Sequence, residues 1–212
     1  MPNEYASSAG TATAGVSHGV IERARSIPSA NIGDAQERLG TASGIRPVWD
    51  GAQLAGRALP VWTRPGDNLI IHKALDVAQP GDVLVVNGGG GDVSRALIGD
   101  LIGLRALRLG VAGFVIDGAI RDAVGLGEIG LPVFARAVTP AGPFKFGPGR
   151  IGIPVAISGV VVEAGDLIVA DDDGVVVVRG EEADEVITRA EEIEAGERRK
   201  RIAIEESAGV RV

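Results

Sequence analysis

The chain has 212 residues, 45% hydrophobic and only 3% aromatic, with 32 glycines and a formal net charge of −7. That length favours one domain with a sizeable core, and the acidic balance excludes a broad basic face for nucleic acid. No cysteine is present, which removes disulfides, thiolate metal sites and thiol nucleophiles. A core short of aromatics must be built from Val, Ile, Leu and Ala on closely approaching backbones, so a strand-rich α/β body is expected. No apolar run approaches the roughly 20 residues that cross a bilayer, and the N-terminus lacks a basic start followed by an apolar block. A soluble, cytoplasmic protein without membrane or nucleic-acid partners is the expectation.

Residues 1–17 are small and polar without a period and read as a mobile tail, leaving 18–212 as the domain. From Val20 to Leu39 the apolar spacing predicts short helices interrupted at Pro28, with Asp34 capping a second turn that Gly40 ends. Pro47 to Trp62 alternates as short strands or a hairpin. Pro65-Gly66-Asp67-Asn68 is a turn and cap before the helix LIIHKALDVA, closed by Gln79-Pro80-Gly81-Asp82. Val83 to Val86 is a short buried strand, and the four glycines that follow, Gly88 to Gly91, predict a loop that closely approaches a small ligand.

Leu97, Leu101, Leu104 and Leu107 are spaced as one apolar helix face, with Gly110 as its stop. Gly113 to Ile116 is a second strand, ending at Asp117-Gly118 just before Arg121-Asp122. A brief helix at Leu126 to Gly130 and a strand from Pro132 follow. The loop PAGPFKFGPGRIG is too rich in Gly and Pro to be regular. Three apolar runs between Val155 and Val178, separated by turn residues, predict an antiparallel meander. Glu181 to Glu206 is helical, with Val186, Ile187, Ala190 and Ile193 on one face and solvated Glu and Arg on the other.

In an α/β unit, strand carboxyl ends and helix amino ends share the crevice where ligands bind, which draws attention to Asp100, Arg121 and Asp122. A dinucleotide fingerprint is absent, since Gly88 and Gly90 would require glycine at Val93. His18 and His72 belong to no ligand-spaced cluster, so a histidine zinc site is not indicated. Lys145 is the one lysine worth weighing as a Schiff-base amine. Carboxylates remain, and they suit a hard cation such as Mg²⁺ or Mn²⁺. Taken singly, Asp100 is an ordinary helix cap and Asp122 a surface partner of Arg121. Asp171-Asp172-Asp173 is a further cation candidate whose ordinary reading is a solvated hairpin turn.

Asp100 and Arg121-Asp122 form the pattern D-x20-R-D. Together with DAQERLG, PGDN, QPGDVLVV, GVAGFVIDGAIRD, GLPVFAR, the GPG loop and GDLIVADDDGVVVV, taken in order, this resembles the metal-dependent 4-hydroxy-4-methyl-2-oxoglutarate/4-carboxy-4-hydroxy-2-oxoadipate aldolases. The same family contains the ribonuclease-activity regulator A proteins. The resemblance implies an α/β fold: a three-layer swivelling β/β/α sandwich, a single domain with a C-terminal helix, assembling as a homotrimer or hexamer with sites between subunits. It further implies that Asp122 ligates Mg²⁺ or Mn²⁺ directly and that Asp100 holds the metal through water. Arg121 would meet the keto-acid oxygen, while Gly99, Leu101 and Ile102 would bind the substrate carboxylate. Glu194 or Glu197 of a neighbouring subunit would complete the shell. Two departures stand out: Gly125 lies where many members carry a third acid, and Asn87 where an acid would close the first strand.

The function expected from the resemblance is retro-aldol cleavage of a 4-hydroxy-2-oxo acid to pyruvate, with oxaloacetate decarboxylation as a side activity. The base is expected to be a water on the metal, no histidine being placed for it. The alternative is a non-catalytic regulator that binds a ribonuclease or another protein partner.

Overall fold

The computed structural model describes residues 15–208. It opens with two short helices, α1 (His18–Ala24) and α2 (Ser29–Ala35), and two minimal strands, β1 (Thr41–Ala42) and β2 (Arg46–Pro47). Three strand–helix units follow: β3 (Leu54–Thr63) with α3 (Leu69–Leu75), β4 (Asp82–Asn87) with α4 (Asp100–Arg108), and β5 (Gly113–Ile120) with α5 (Ala123–Glu128). Then come β6 (Val133–Val138), β7 (Gly149–Ile151), β8 (Val155–Ile157), β9 (Val160–Val162), β10 (Leu167–Asp171) and β11 (Gly174–Val178). The last element is the helix α6 (Ala183–Ala208).

Strands β3, β4, β5 and β6 pair in parallel, as their helical crossovers demand, while β10, β11, β1 and β2 extend the sheet antiparallel in the order β1-β11-β10-β3-β4-β5-β6-β2. The two end strands β1 and β2 are joined only through Ser43, Gly44 and Ile45, so the sheet curls round towards itself. Side chains alternate across each strand, and here both faces are buried. Val83, Val85, Ile168, Val175 and Val177 point into the enclosed core, which the β8–β9 hairpin plugs with Val155, Ile157 and Val162. Leu84, Val86 and Ile116 point outward under α3, α4 and α5. Val176 and Val178 point outward under α1, α2 and α6. The result is the expected layered α/β sandwich with a C-terminal helix.

Several local expectations change. Residues 1–14 of the expected tail lie outside the described residues, but Val16 is buried, its N–H donating to Gly165 O at 3.1 Å, and Ser17 caps α1. Asp34 lies inside α2 rather than capping a helix, because Asp171 does the capping: it accepts from Ser29 N at 2.7 Å and Ser29 Oγ at 2.6 Å. Residues 54–63 form one ten-residue strand, long enough to serve both halves of the sheet. Strand β5 runs on past Asp117-Gly118 to Ile120 through a bulge. The meander resolves into two hairpins, since β10 leaves β9 to pair with β3.

The loop between β6 and β7 is irregular yet firmly held. Fully buried Asp67 accepts from Phe146 N at 2.7 Å and Gly147 N at 2.9 Å through Oδ2, and from Leu69 N at 2.9 Å through Oδ1. One carboxylate thus caps α3 and pins the loop. In Asp67→Asn at least one of these amides loses its acceptor, so urea unfolding should show a loss of about 1–3 kcal/mol; an unchanged midpoint and slope would mean the loop is held by other contacts.

Candidate active site

The site lies at the carboxyl ends of β3 to β6, the crevice favoured in parallel sheets. Its assembly begins at residues 96–98, which run beside the end of β5. Leu97 N donates to Ala119 O at 2.8 Å and Arg121 N to Ile98 O at 3.0 Å, with Leu97 and Ile98 buried. This seam sets Gly99-Asp100 directly against Arg121-Asp122. The next strand joins it: Ala96 N donates to Ala141 O at 2.8 Å and Thr139 N to Ile120 O at 2.9 Å.

A cleft of about 140 Å³ results. It is lined by Gly99, Asp100, Leu101 and Ile102 from the start of α4, by Arg121 after β5, by Asn68 and His72 of the α3 segment, and by Lys145 of the loop after β6. Asp122 sits behind Gly99 with Oδ2 3.4 Å from Arg121 Nε, both side chains partly exposed. Its backbone is left-handed (φ 58°, ψ 39°), a conformation that aspartate tolerates better than most residues and that turns the chain sharply into α5. The Asp100 carboxylate accepts from the N–H of Leu101 at 2.7 Å. That interaction occupies one of the two first-turn amides expected to receive a substrate carboxylate, so Asp100 must turn away before Leu101 N–H can bind a ligand.

Three polar lining residues were not assigned to the site from sequence. Asn68 reads as a helix cap, but its side chain makes no capping bond; instead Nδ2 donates to Leu97 O at 3.0 Å, tying α3 to the seam. Its Oδ1 is buried without a partner in the described structure. His72, expected to be uninvolved, lines the cleft. Burial pushes its imidazole below the usual 6.5, the positive charges of Lys145 and Arg105 push it further, and Asp76 opposes them. Lys145 is exposed, so it lacks the desolvation a Schiff-base amine requires. It serves better as a fixed cation.

Other expectations fare differently. The faces of α4 are reversed: Gly103 and Ala106 are buried, while Leu101 (76%), Leu104 (41%) and Leu107 (41%) are exposed. A Cβ at Gly103 would stand 2.5 Å from Leu126 Cδ2, so the helix approaches α5 through its small residues. The glycine run does not open onto the cleft. A Cβ at Gly88 would meet Leu97 at 2.7 Å, at Gly89 Pro65 at 2.5 Å, and at Gly91 Arg136 at 3.0 Å, so these glycines admit the protein's own side chains. Asp171 caps α2, and Asp172 accepts from Gly51 N at 3.3 Å, which gives the acidic triplet structural roles.

Among the described residues no set of three or more His, Asp and Glu is grouped to hold a metal. Asp100 and Asp122 nevertheless fit one: a hard divalent cation takes one or two carboxylates and fills its remaining positions with water and ligand oxygens. Neither Glu194 nor Glu197 reaches this cleft in its own chain. Glu194 pairs with Arg198 at 2.6 Å, and Glu197 accepts from Asn31 Nδ2 at 2.8 Å, both on the α2–α6 side.

With this geometry in place, the comparisons with known proteins are informative. Residues 29–177 match the RraA-like (Aldolase/RraA) family model, and the chain belongs to that family. A Halalkalibacterium halodurans protein that carries the provisional name 4-hydroxy-4-methyl-2-oxoglutarate aldolase is 39% identical over 188 residues, covering 88% of this chain and 89% of that one. The solved Streptomyces coelicolor RraAS2, described as an unusual member of the RNase ES inhibitor RraA family, superposes with a TM-score of 0.79 at 32% identity. It covers 87% of this chain and 96% of its own. A Pseudomonas syringae structure superposes at 0.81 with 28% identity, over 91% and 94% of the two chains.

The depressed His72 has a thermodynamic consequence. Below pH 6.5 the unfolded chain takes up a proton that the native imidazole resists, so stability falls as pH drops from 6.5 through the native value. An NMR titration of His72 in the native protein should give a midpoint below 6.5, and a midpoint at or above 6.5 would contradict its burial against Lys145.

Proposed function

We propose that the protein is a divalent-metal-dependent lyase that cleaves a 4-hydroxy-2-oxo acid, such as 4-hydroxy-4-methyl-2-oxoglutarate, to pyruvate, and decarboxylates oxaloacetate as a side activity. The observation that carries this reading is the seam between residues 96–98 and the end of β5, which lines one cleft with Asp100, Arg121 and a helix amino end and sets Asp122 behind Gly99, beside Arg121. The family and the aldolase name of the H. halodurans relative support it.

In this reading Asp122 holds Mg²⁺ or Mn²⁺, assisted by Asp100 and by Glu194 or Glu197 of a neighbouring chain. The metal supplies positive charge beside the 2-oxo group, where negative charge develops as the carbon–carbon bond breaks. Arg121 adds a second cation to the same oxygen. The amides of Leu101 and Ile102, at the positive end of α4, take the C1 carboxylate once Asp100 releases Leu101. Lys145 pairs with the distal carboxylate across the cleft. Asn68 Oδ1 orients the C4 hydroxyl, and His72, kept neutral, accepts its proton. The exposed leucines of α4 are the surface that a homotrimer or hexamer would cover.

A second reading, a regulator that docks on a ribonuclease, is favoured by the description of the S. coelicolor neighbour. Both readings meet in one assay of pyruvate release from 4-hydroxy-4-methyl-2-oxoglutarate. With magnesium the wild type should turn over. Chelator or Asp122→Ala should lower the rate at least about 100-fold, the equivalent of a few kcal/mol of lost charge stabilisation. Equal rates in all three would sink the metal mechanism, and no turnover together with capture of ribonuclease E would favour the regulator.

A further inference from the structure

Two glycines face the two carboxylates crosswise. Gly99 adopts φ −144°, ψ −169°, extended backbone open to any residue, and as the amino cap of α4 it contributes no side-chain bond. A Cβ there would lie 2.3 Å from Asp122 Oδ2 and 3.2 Å from Arg121 Nε. Gly125 lies within the helix α5, where glycine is the poorer choice beside alanine. A Cβ there would meet the Asp100 side chain, at 3.1 Å from Cβ and 3.4 Å from Oδ2. Backbone conformation demands glycine at neither position. What each would touch is the carboxylate of the opposite segment.

We propose that Gly99 and Gly125 are reciprocal positioning residues: the space left at 99 seats the Asp122 carboxylate, and the space left at 125 seats the Asp100 side chain. This inference rests on the proposed metal site and adds its geometric requirement. A side chain at 99 would run into the Asp122 carboxylate and one at 125 would press on the Asp100 side chain, so each acid keeps its place where the opposite segment gives up its Cβ.

Because the atom displaced by a new Cβ at 99 is the far end of a side chain, Gly99→Ala should fold normally while moving the Asp122 carboxylate. Gly125→Ala gains helix stability by removing a glycine and loses some of it to the 3.1 Å contact with Asp100 Cβ, so the apo protein should stay near wild-type stability. Mn²⁺ binding measured by electron paramagnetic resonance, beside melting temperatures in chelator, separates the outcomes. Wild type should bind Mn²⁺ and Asp122→Ala should not. Both glycine variants should keep their melting temperatures yet bind Mn²⁺ about 10–100-fold more weakly, the range seen when groups that orient metal ligands are changed. Wild-type Mn²⁺ affinity in both variants would overturn the glycine proposal while leaving the metal site standing. Equal Mn²⁺ binding, or equal lack of it, in wild type and Asp122→Ala would remove the metal site and the glycine proposal with it.

Discussion

The structure depends on one seam of backbone hydrogen bonds, where residues 96–98 lie against the end of β5. Leu97 and Ile98 are buried there, so the pairing forms in a dry environment where an unpaired amide would cost about 1–3 kcal/mol. From it follow the position of the α4 amino end, the approach of Asp100 to Asp122 and the place of Arg121. The next loop follows too, because Ala141 accepts from Ala96 and carries Pro143 and Lys145 over the cleft. Asn68 ties the first strand–helix unit to the same seam through Leu97 O. Four strand ends that are far apart in sequence are thereby held in one register.

This explains what the D-x20-R-D spacing means. Twenty residues is the length of α4, its turn and β5, and the seam closes that circuit so that both ends of the spacing meet. The strands themselves were legible because short β-branched runs are bounded by glycine and aspartate, and Val83 to Val86 and Gly113 to Ile116 lie inside β4 and β5. Periodicity told less about α4. Leu101, Leu104 and Leu107 do form a stripe, but a stripe reports only that something apolar belongs on that face, and among the described residues nothing covers it. Glycines misled in the same way. Gly88, Gly89 and Gly91 signal close approach, and what approaches is Leu97, Pro65 and Arg136. Asn68, His72 and Lys145 were hidden because no local pattern marks a residue whose role is set by a loop arriving from another strand. Asp171 to Asp173 read in the first place as a hairpin turn, and the partner of Asp171, Ser29, lies too far away in sequence for any local pattern to show it.

The charge layout of the cleft is consistent with a small anion. Arg121 and Lys145 are the cations at its walls, the amino end of α4 adds a partial positive charge, and Asp100 and Asp122 are the acids that the proposed divalent ion would use. Within one chain the set of oxygen donors is short, and the acids of α6 lie on the opposite layer. A neighbouring chain seated on the α4 leucines would both bury them and bring new side chains to the rim, which links assembly to chemistry through one surface.

Anomalous diffraction from crystals grown with Mn²⁺ and oxalate, a two-carboxylate mimic of the pyruvate enolate, tests the central claim most directly. The account predicts one strong manganese peak beside the Asp122 carboxylate, with oxalate between the ion and Arg121. A peak confined to Asp171–Asp173, or none within reach of Asp122, would contradict it.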